Sequence, residues 1–133
     1  MEKDPPYVLL VNPWIDDFAA YDFWGKPMGL LTIAGILNHH GYTTRYVDCL
    51  DRFYPGLERC PERGMFGKGP YLKTRISKPK KLHDIPRHYS RYGMPEKLVR
   101  EAAGNGPQPA AVLVTSLMTY WYPGVIALIR VIR

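Results

Sequence analysis

Thr115, Ser116, Leu117 and Thr119, followed by the aromatic run Tyr120, Trp121 and Tyr122, are the residues of this 133-residue chain whose types and spacing point most directly to chemistry. Hydroxyls donate and accept hydrogen bonds and the rings offer flat apolar surface, so the set suits a large planar molecule with few polar atoms. The apolar residues at 110–114 read as a buried strand of the parallel-sheet kind. Pro123 is suited to open a helix, because its missing N–H would be unpaired there anyway. Hydroxyls and rings therefore collect at a strand's carboxyl end, the edge where ligands bind in open α/β sheets. The alternative is a plain strand-to-helix junction whose hydroxyls serve as N-caps.

Other chemistries lack their residues. A dinucleotide site needs three closely spaced glycines in the first strand-helix turn, but that turn begins Asn12-Pro13-Trp14, and Gly25, Gly29 and Gly35 are wrongly spaced. No Gly-Lys-Ser or Gly-Lys-Thr phosphate loop occurs. Asp16 and Asp17 have the form of a magnesium pair, but they lie several residues past the strand end and read better as a solvated acidic turn. His39 and His40 fall at a helix carboxyl end, where an imidazolium suits the dipole. His83 and His88 stand five apart in a basic stretch without a cysteine or carboxylate set, so no metal site is expected. Cys49 and Cys60 have neither zinc nor redox spacing and read as free thiols.

The elements that must position these residues are legible from periodicity. Residues 7–11 form a compact β-branched and leucine run that stops at Asn12-Pro13, the pattern of a central strand, and an aromatic and acidic loop follows at 14–24. From Pro27 the spacing is helical, with Leu30, Leu31, Ile33, Ala34 and Leu37 on one face; Gly29 and Gly35 would let the helix lie close to the sheet. Gly41 supplies a left-handed stop, and residues 42–49 read as a second, parallel strand reached by a right-handed crossover. A further helix is expected at 95–103, and a last one from Pro123 onward. The architecture is that of the first three strands of a doubly wound sheet, with the first strand in the middle and all three buried on both faces.

Residues 52–94 interrupt this pattern. They are rich in proline and glycine, and a loop of this length is usually functional or disordered. Of the 18 Lys and Arg residues, 13 lie at positions 51–100 against five acids, a net +8, whereas the first 50 residues carry −3. Tyr71, His88, Tyr89 and Tyr92 interleave with the basic residues as on a single-strand nucleic-acid surface, but no nucleic-acid motif is present. Docking against a protein neighbour is the favoured reading, with residues 85–93 as the most distinctive part. The longest uncharged apolar stretch, at 28–37, is too short for a membrane span, and the start of the chain lacks a secretory signal, so a cytoplasmic location is expected. The helical pattern at 125–133 meets no stop signal and the strands are too few to finish a sheet. The expectation is one domain, the amino-terminal piece of a longer protein.

Taken together, Val8-Leu9-Leu10-Val11-Asn12-Pro13, Lys26-Pro27-Met28-Gly29-Leu30-Leu31, Asn38-His39-His40-Gly41-Tyr42 leading to Asp48, and residues 115–123 resemble the amino-terminal cobalamin-binding-like domain of radical S-adenosylmethionine (SAM) proteins. The resemblance covers nearly the whole chain. It implies an α/β, Rossmann-like (flavodoxin-like) parallel sheet with flanking helices, here truncated after the third strand-helix unit. A barrel would follow whose three-cysteine motif carries an iron-sulfur cluster that cleaves S-adenosylmethionine; that motif is missing here, and the downstream radical SAM domain would be this module's partner.

Thr115-x-Leu117-x-Thr119 is similar to the segment with which cobalamin modules hold the nucleotide tail, with Leu117 packed on the benzimidazole. The resemblance thus places possible cobalamin contacts at Asn12, Pro13, Trp14, Asp48, Thr115, Ser116, Leu117 and Thr119. The loop that offers a histidine to cobalt is not matched, since Trp24 of Asp22-Phe23-Trp24-Gly25 stands where a ligand would, and an indole N–H cannot coordinate. Two functions remain open: a domain presenting cobalamin to a radical SAM catalyst, or a structural, partner-binding or nucleic-acid-binding module with an empty pocket.

Overall fold

The computed structural model describes residues 6–58 and 64–133. In chain order the elements are β1 (Tyr7–Asn12), β2 (Ile15–Asp17), β3 (Tyr21–Asp22), α1 (Met28–His39), β4 (Thr43–Asp48), β5 (Gly69–Pro70), β6 (Lys73–Arg75), β7 (Ser90–Tyr92), α2 (Glu96–Gly104), β8 (Ala111–Val114) and α3 (Tyr122–Ile132). Three of them build a parallel sheet in the order β4-β1-β8. Its register runs from Tyr7 opposite Thr43 to Asn12 opposite Asp48, and from Val8 opposite Ala111 to Val11 opposite Val114. This is the arrangement the apolar runs predict, a mixed α/β sheet compatible with a Rossmann-like fold.

Alternation along β1 sends its side chains to two layers. Tyr7, Leu9 and Val11 join Trp14, Val47, Cys49, Met94, Val99 and Leu128 in the main core, so α2 and α3 cover that face. Leu10 points to the other face and is fully buried, while Leu30 is the buried residue of α1, the helix that crosses from β1 to β4. Each large apolar side chain buried this completely contributes roughly 1.5–3 kcal/mol. α1 ends as predicted: Gly41 has φ +83° and its N–H donates to the Asn38 carbonyl at 3.0 Å.

Four expectations are corrected. Gly29 and Gly35 are exposed, and a Cβ on either would meet nothing, so they do not bring α1 closer to the sheet; Leu30, Ala34 and Leu37 form the inner face instead. Neither β4 nor β8 is buried on both faces: in β4 Thr43 and Tyr46 are exposed and only Val47 is buried. Ala111 and Val112 are exposed, because β8 pairs with β1 only and its outer edge has no strand beside it among the described residues. The stretch at 14–24 is not a plain loop, since it contains β2 and β3. The basic excursion is mostly irregular, as its prolines and glycines predict, but it is not a loop throughout: β7 pairs antiparallel with both β2 and β6, and β3 pairs with β5. Tyr89, Ser90, Tyr92 and Met94 are buried, so the end of the excursion packs inside this chain. Cys49 is a buried free thiol; Cys60 and the first residues, where the signal was sought, lie outside the described residues. Among the described residues no helix is long and apolar enough to cross a membrane.

Candidate functional site at the carboxyl edge of the parallel sheet

The strand ends of β1 and β4 meet at a polar junction. Asn12 is buried and its Nδ2 donates to Asp48 Oδ1 at 2.8 Å; Leu50 N donates to the same oxygen at 2.9 Å, and Lys26 Nζ lies 3.1 Å from Asp48 Oδ2. Both oxygens of Asp48 are therefore engaged by its own chain. Burial, with the Asp48 charge adding to it, pushes the neighbouring Cys49 thiol far above its ordinary value, which makes it a poor nucleophile.

Trp14, expected at the ligand edge, is instead the largest fully buried side chain, and its Nε1 donates to the Met94 carbonyl at 2.8 Å. Arg91 stacks over its ring at 4.9 Å from the centroid. Pro13 is also buried. Between Asn12, Trp14, Leu117 and Trp121 remains a cavity of about 10 Å³, roughly the room of one water molecule. Asn12, Pro13 and Trp14 thus form a structural junction with no space for a ring system between them and the loop, whereas Asp48 lines a separate open cleft of about 960 Å³ with Lys26, Arg45 and Asp51.

The other half is open. Thr115 N donates to the Val11 carbonyl at 3.3 Å, continuing the β1–β8 ladder to the strand end. Beyond it Ser116, Leu117, Met118, Thr119 and Tyr120 are exposed, with Ser116 Oγ donating to the Met118 carbonyl at 3.2 Å. The 3₁₀ turn Thr119–Trp121 then leads into α3, with Pro123 at its start as predicted. Trp121 Nε1 donates to Asp17 Oδ2 at 2.8 Å, which fixes this loop against β2. On this side Leu117 and Thr119 face solvent and Thr115 is half-buried, beside a strand edge that is unpaired among the described residues, while Asn12 and Trp14 have almost no free surface to give.

A second exposed group was not anticipated. Phe23, Trp24 and Phe66 are 64%, 54% and 81% exposed, and Trp24 Nε1 donates to the Phe66 carbonyl at 2.6 Å. Both residues are left-handed, Trp24 at φ 65° and Phe66 at φ 58°. For bulky side chains this costs roughly 1–3 kcal/mol each, and such strain clusters at binding sites. Asp22 holds the turn by accepting from Trp24 N at 2.9 Å and pairing with the buried Arg52 at 3.1 Å. Lys26, two residues on, reaches Asp48, so this turn belongs to the carboxyl edge too. The signal available in the sequence was the aromatic-glycine step, Trp24-Gly25 and Phe66-Gly67, which marks a turn but not its partner.

Asp16 is not part of a solvated turn. It is 2% exposed and receives two 2.9 Å hydrogen bonds from Arg91 Nε and Nη2, directly across the β2–β7 ladder. The Asp16 hydrogen bond raises the Arg91 pKa, against the opposing effect of burial. Tyr89 Oη donates to the Asp16 carbonyl at 2.9 Å, and burial pushes this phenol up to about 12. His39 and His40, at the end of α1, are about 18 Å along the helix from the carboxyl edge at 1.5 Å per residue. Among the described residues no three or more His, Cys, Asp or Glu gather as a metal site would require. Comparison with protein-family models, with curated proteins and with solved structures finds no match to this chain.

Proposed function

We propose that the chain is a cobalamin-presenting domain of a radical SAM enzyme, with the corrinoid held along the flank formed by Thr115, Leu117 and Thr119. The observation that carries the reading is the position of this segment: it leaves the carboxyl end of β8, next to the central strand, with Leu117 and Thr119 in solvent and Thr115 half-buried at the strand end. Ligands of open α/β sheets bind at that edge. Bound cobalamin would supply methyl-carrying chemistry to a downstream iron-sulfur domain. This chain's own part is to hold and orient: Leu117 gives apolar contact, and Thr115 and Thr119 offer hydrogen bonds. The exposed ring next in the chain is Tyr120. His39 and His40 lie at the end of α1 that is far from this edge.

The second reading, a structural module without cofactor, is favoured by the burial of Asn12, Pro13 and Trp14 and by the cavity of only about 10 Å³ that they line with Leu117 and Trp121. Equilibrium dialysis of the chain against hydroxocobalamin separates the two. Weak saturable binding is expected, lost in Leu117→Arg because an unpaired charge would lie against the ring system, and retained in His39→Ala, His40→Ala, His83→Ala and His88→Ala. Binding that is absent, or indifferent to Leu117→Arg, would leave the structural module.

A further inference from the structure

A strongly basic surface lies on the sheet made by β2, β7 and β6. In its register Lys73 stands opposite Tyr92 and Arg75 opposite Ser90, so both cations project on one face beside two residues whose own side chains are buried. The strand pairing is prolonged by a hydrogen bond from Ile76 N to the Tyr89 carbonyl at 3.0 Å. Lys78, Arg87 and His88 then continue the same wall. The result is an open groove of about 1050 Å³ lined by Lys73, Arg75, Lys78 and Arg87 and by no carboxylate. Among the described residues, none of these four cations has an acidic partner within ion-pair distance.

We infer that this groove binds an acidic, extended protein segment. Charge sets the sign of the ligand: four cations gathered without a counter-ion repel one another, and a carboxylate-rich partner relieves that repulsion. Two features select a peptide over a nucleic acid. The two tyrosines that border the groove are not available for stacking, since Tyr89 and Tyr92 are 4% and 5% exposed and their hydroxyls are spent on the Asp16 and Phe18 carbonyls; Phe18 is half-buried with Arg87 over its ring, which leaves His88 as the one exposed ring among the residues that line the groove. A single-strand surface depends on a series of open rings. In addition, β6 pairs with β7 alone, so its outer backbone edge is unpaired among the described residues. An extended peptide can add to such an edge through main-chain hydrogen bonds while its acidic side chains meet Lys73 and Arg75. The inference does not depend on cobalamin binding.

Fluorescence anisotropy with a labelled oligoglutamate peptide tests it on the chain at low salt. The double charge reversal Lys73→Glu with Arg75→Glu is predicted to weaken binding by about tenfold or more. The same change of net charge at Lys80→Glu with Lys81→Glu, on the exposed turn outside the groove, should weaken it by less than about threefold. Oligoglutamine should not bind. Equal losses in the two double variants would reduce the effect to overall charge and overturn the groove, and tighter binding of oligouridylate than of oligoglutamate would overturn the choice of a peptide. All four positions are exposed, so circular dichroism spectra matching the parent chain are the control for folding.

Discussion

Asp16 and Arg91, 75 positions apart in the chain, face each other across β2 and β7 and share two hydrogen bonds of 2.9 Å. This pair ties the turn after the central strand to the end of the basic excursion. It also explains why that end is ordered: Tyr89 donates to Asp16, Arg91 covers Trp14, and Met94 accepts from the Trp14 indole. What reads in the sequence as an acidic turn and a separate basic loop is one packed unit.

Removing one member of this pair leaves the other charged and desolvated. Arg91→Ala is expected to cost about 3 kcal/mol in urea unfolding, because Asp16 keeps its burial and loses its partner. Replacing both at once, with Asp16→Leu and Arg91→Leu, should cost clearly less than the single change. A double variant as unstable as Arg91→Ala would mean that the pair does more than neutralise a buried carboxylate.

The space around Trp14 is made by two glycines from distant segments. Gly93 has φ +132°, and a Cβ there would sit 2.6 Å from Trp14 Cδ1 and run into the Cys49 carbonyl. On Gly124 a Cβ would sit 2.9 Å from the Trp14 carbonyl carbon, against backbone that cannot yield as a side chain can. Gly93→Ala and Gly124→Ala are each expected to lower stability by about 2 kcal/mol or more. Gly35→Ala, in mid-helix with nothing near, should raise it by about 0.5–1 kcal/mol. Thermal melts of the three variants check both signs.

Protease sensitivity should divide the excursion. Lys80, Lys81 and Arg87 are exposed on backbone with few apolar anchors, whereas Arg91 lies in β7 between two strands. Brief trypsin treatment is expected to cut after the first three and to spare Arg91, because cleavage follows local opening. Early cleavage after Arg91 would contradict the packed β2–β7–β6 unit.

The parallel sheet and its helices were legible because their signal is local and repeated: 7–11, 42–49 and 110–114 are continuous apolar or alternating runs, and Gly41 and Pro123 punctuate helices by their own chemistry. The small antiparallel sheet was not. β2, β6 and β7 are three residues each, too short for periodicity, and their pairing joins Ile15 to Tyr92 across most of the chain. Trp14 was misplaced for the same reason. Its type and position after Pro13 suit a ligand edge equally well, and only the non-local Gly93, Met94 and Gly124 make it core. Of the candidate site, the loop at 115–119 was legible from its hydroxyls at a strand end. The Trp24–Phe66 contact was not, since nothing in either segment encodes the other.

The most direct test of the proposed cobalamin flank is a titration of the isotopically labelled chain with diamagnetic hydroxocobalamin, followed by backbone amide shifts. Saturable changes are predicted at residues 115–120 and at Trp24, with the amides of Asn12, Trp14 and Asp48 changing little because their side chains already engage one another or the core. Absence of saturable shifts, or shifts confined to residues 73–88 of the basic groove, would contradict it.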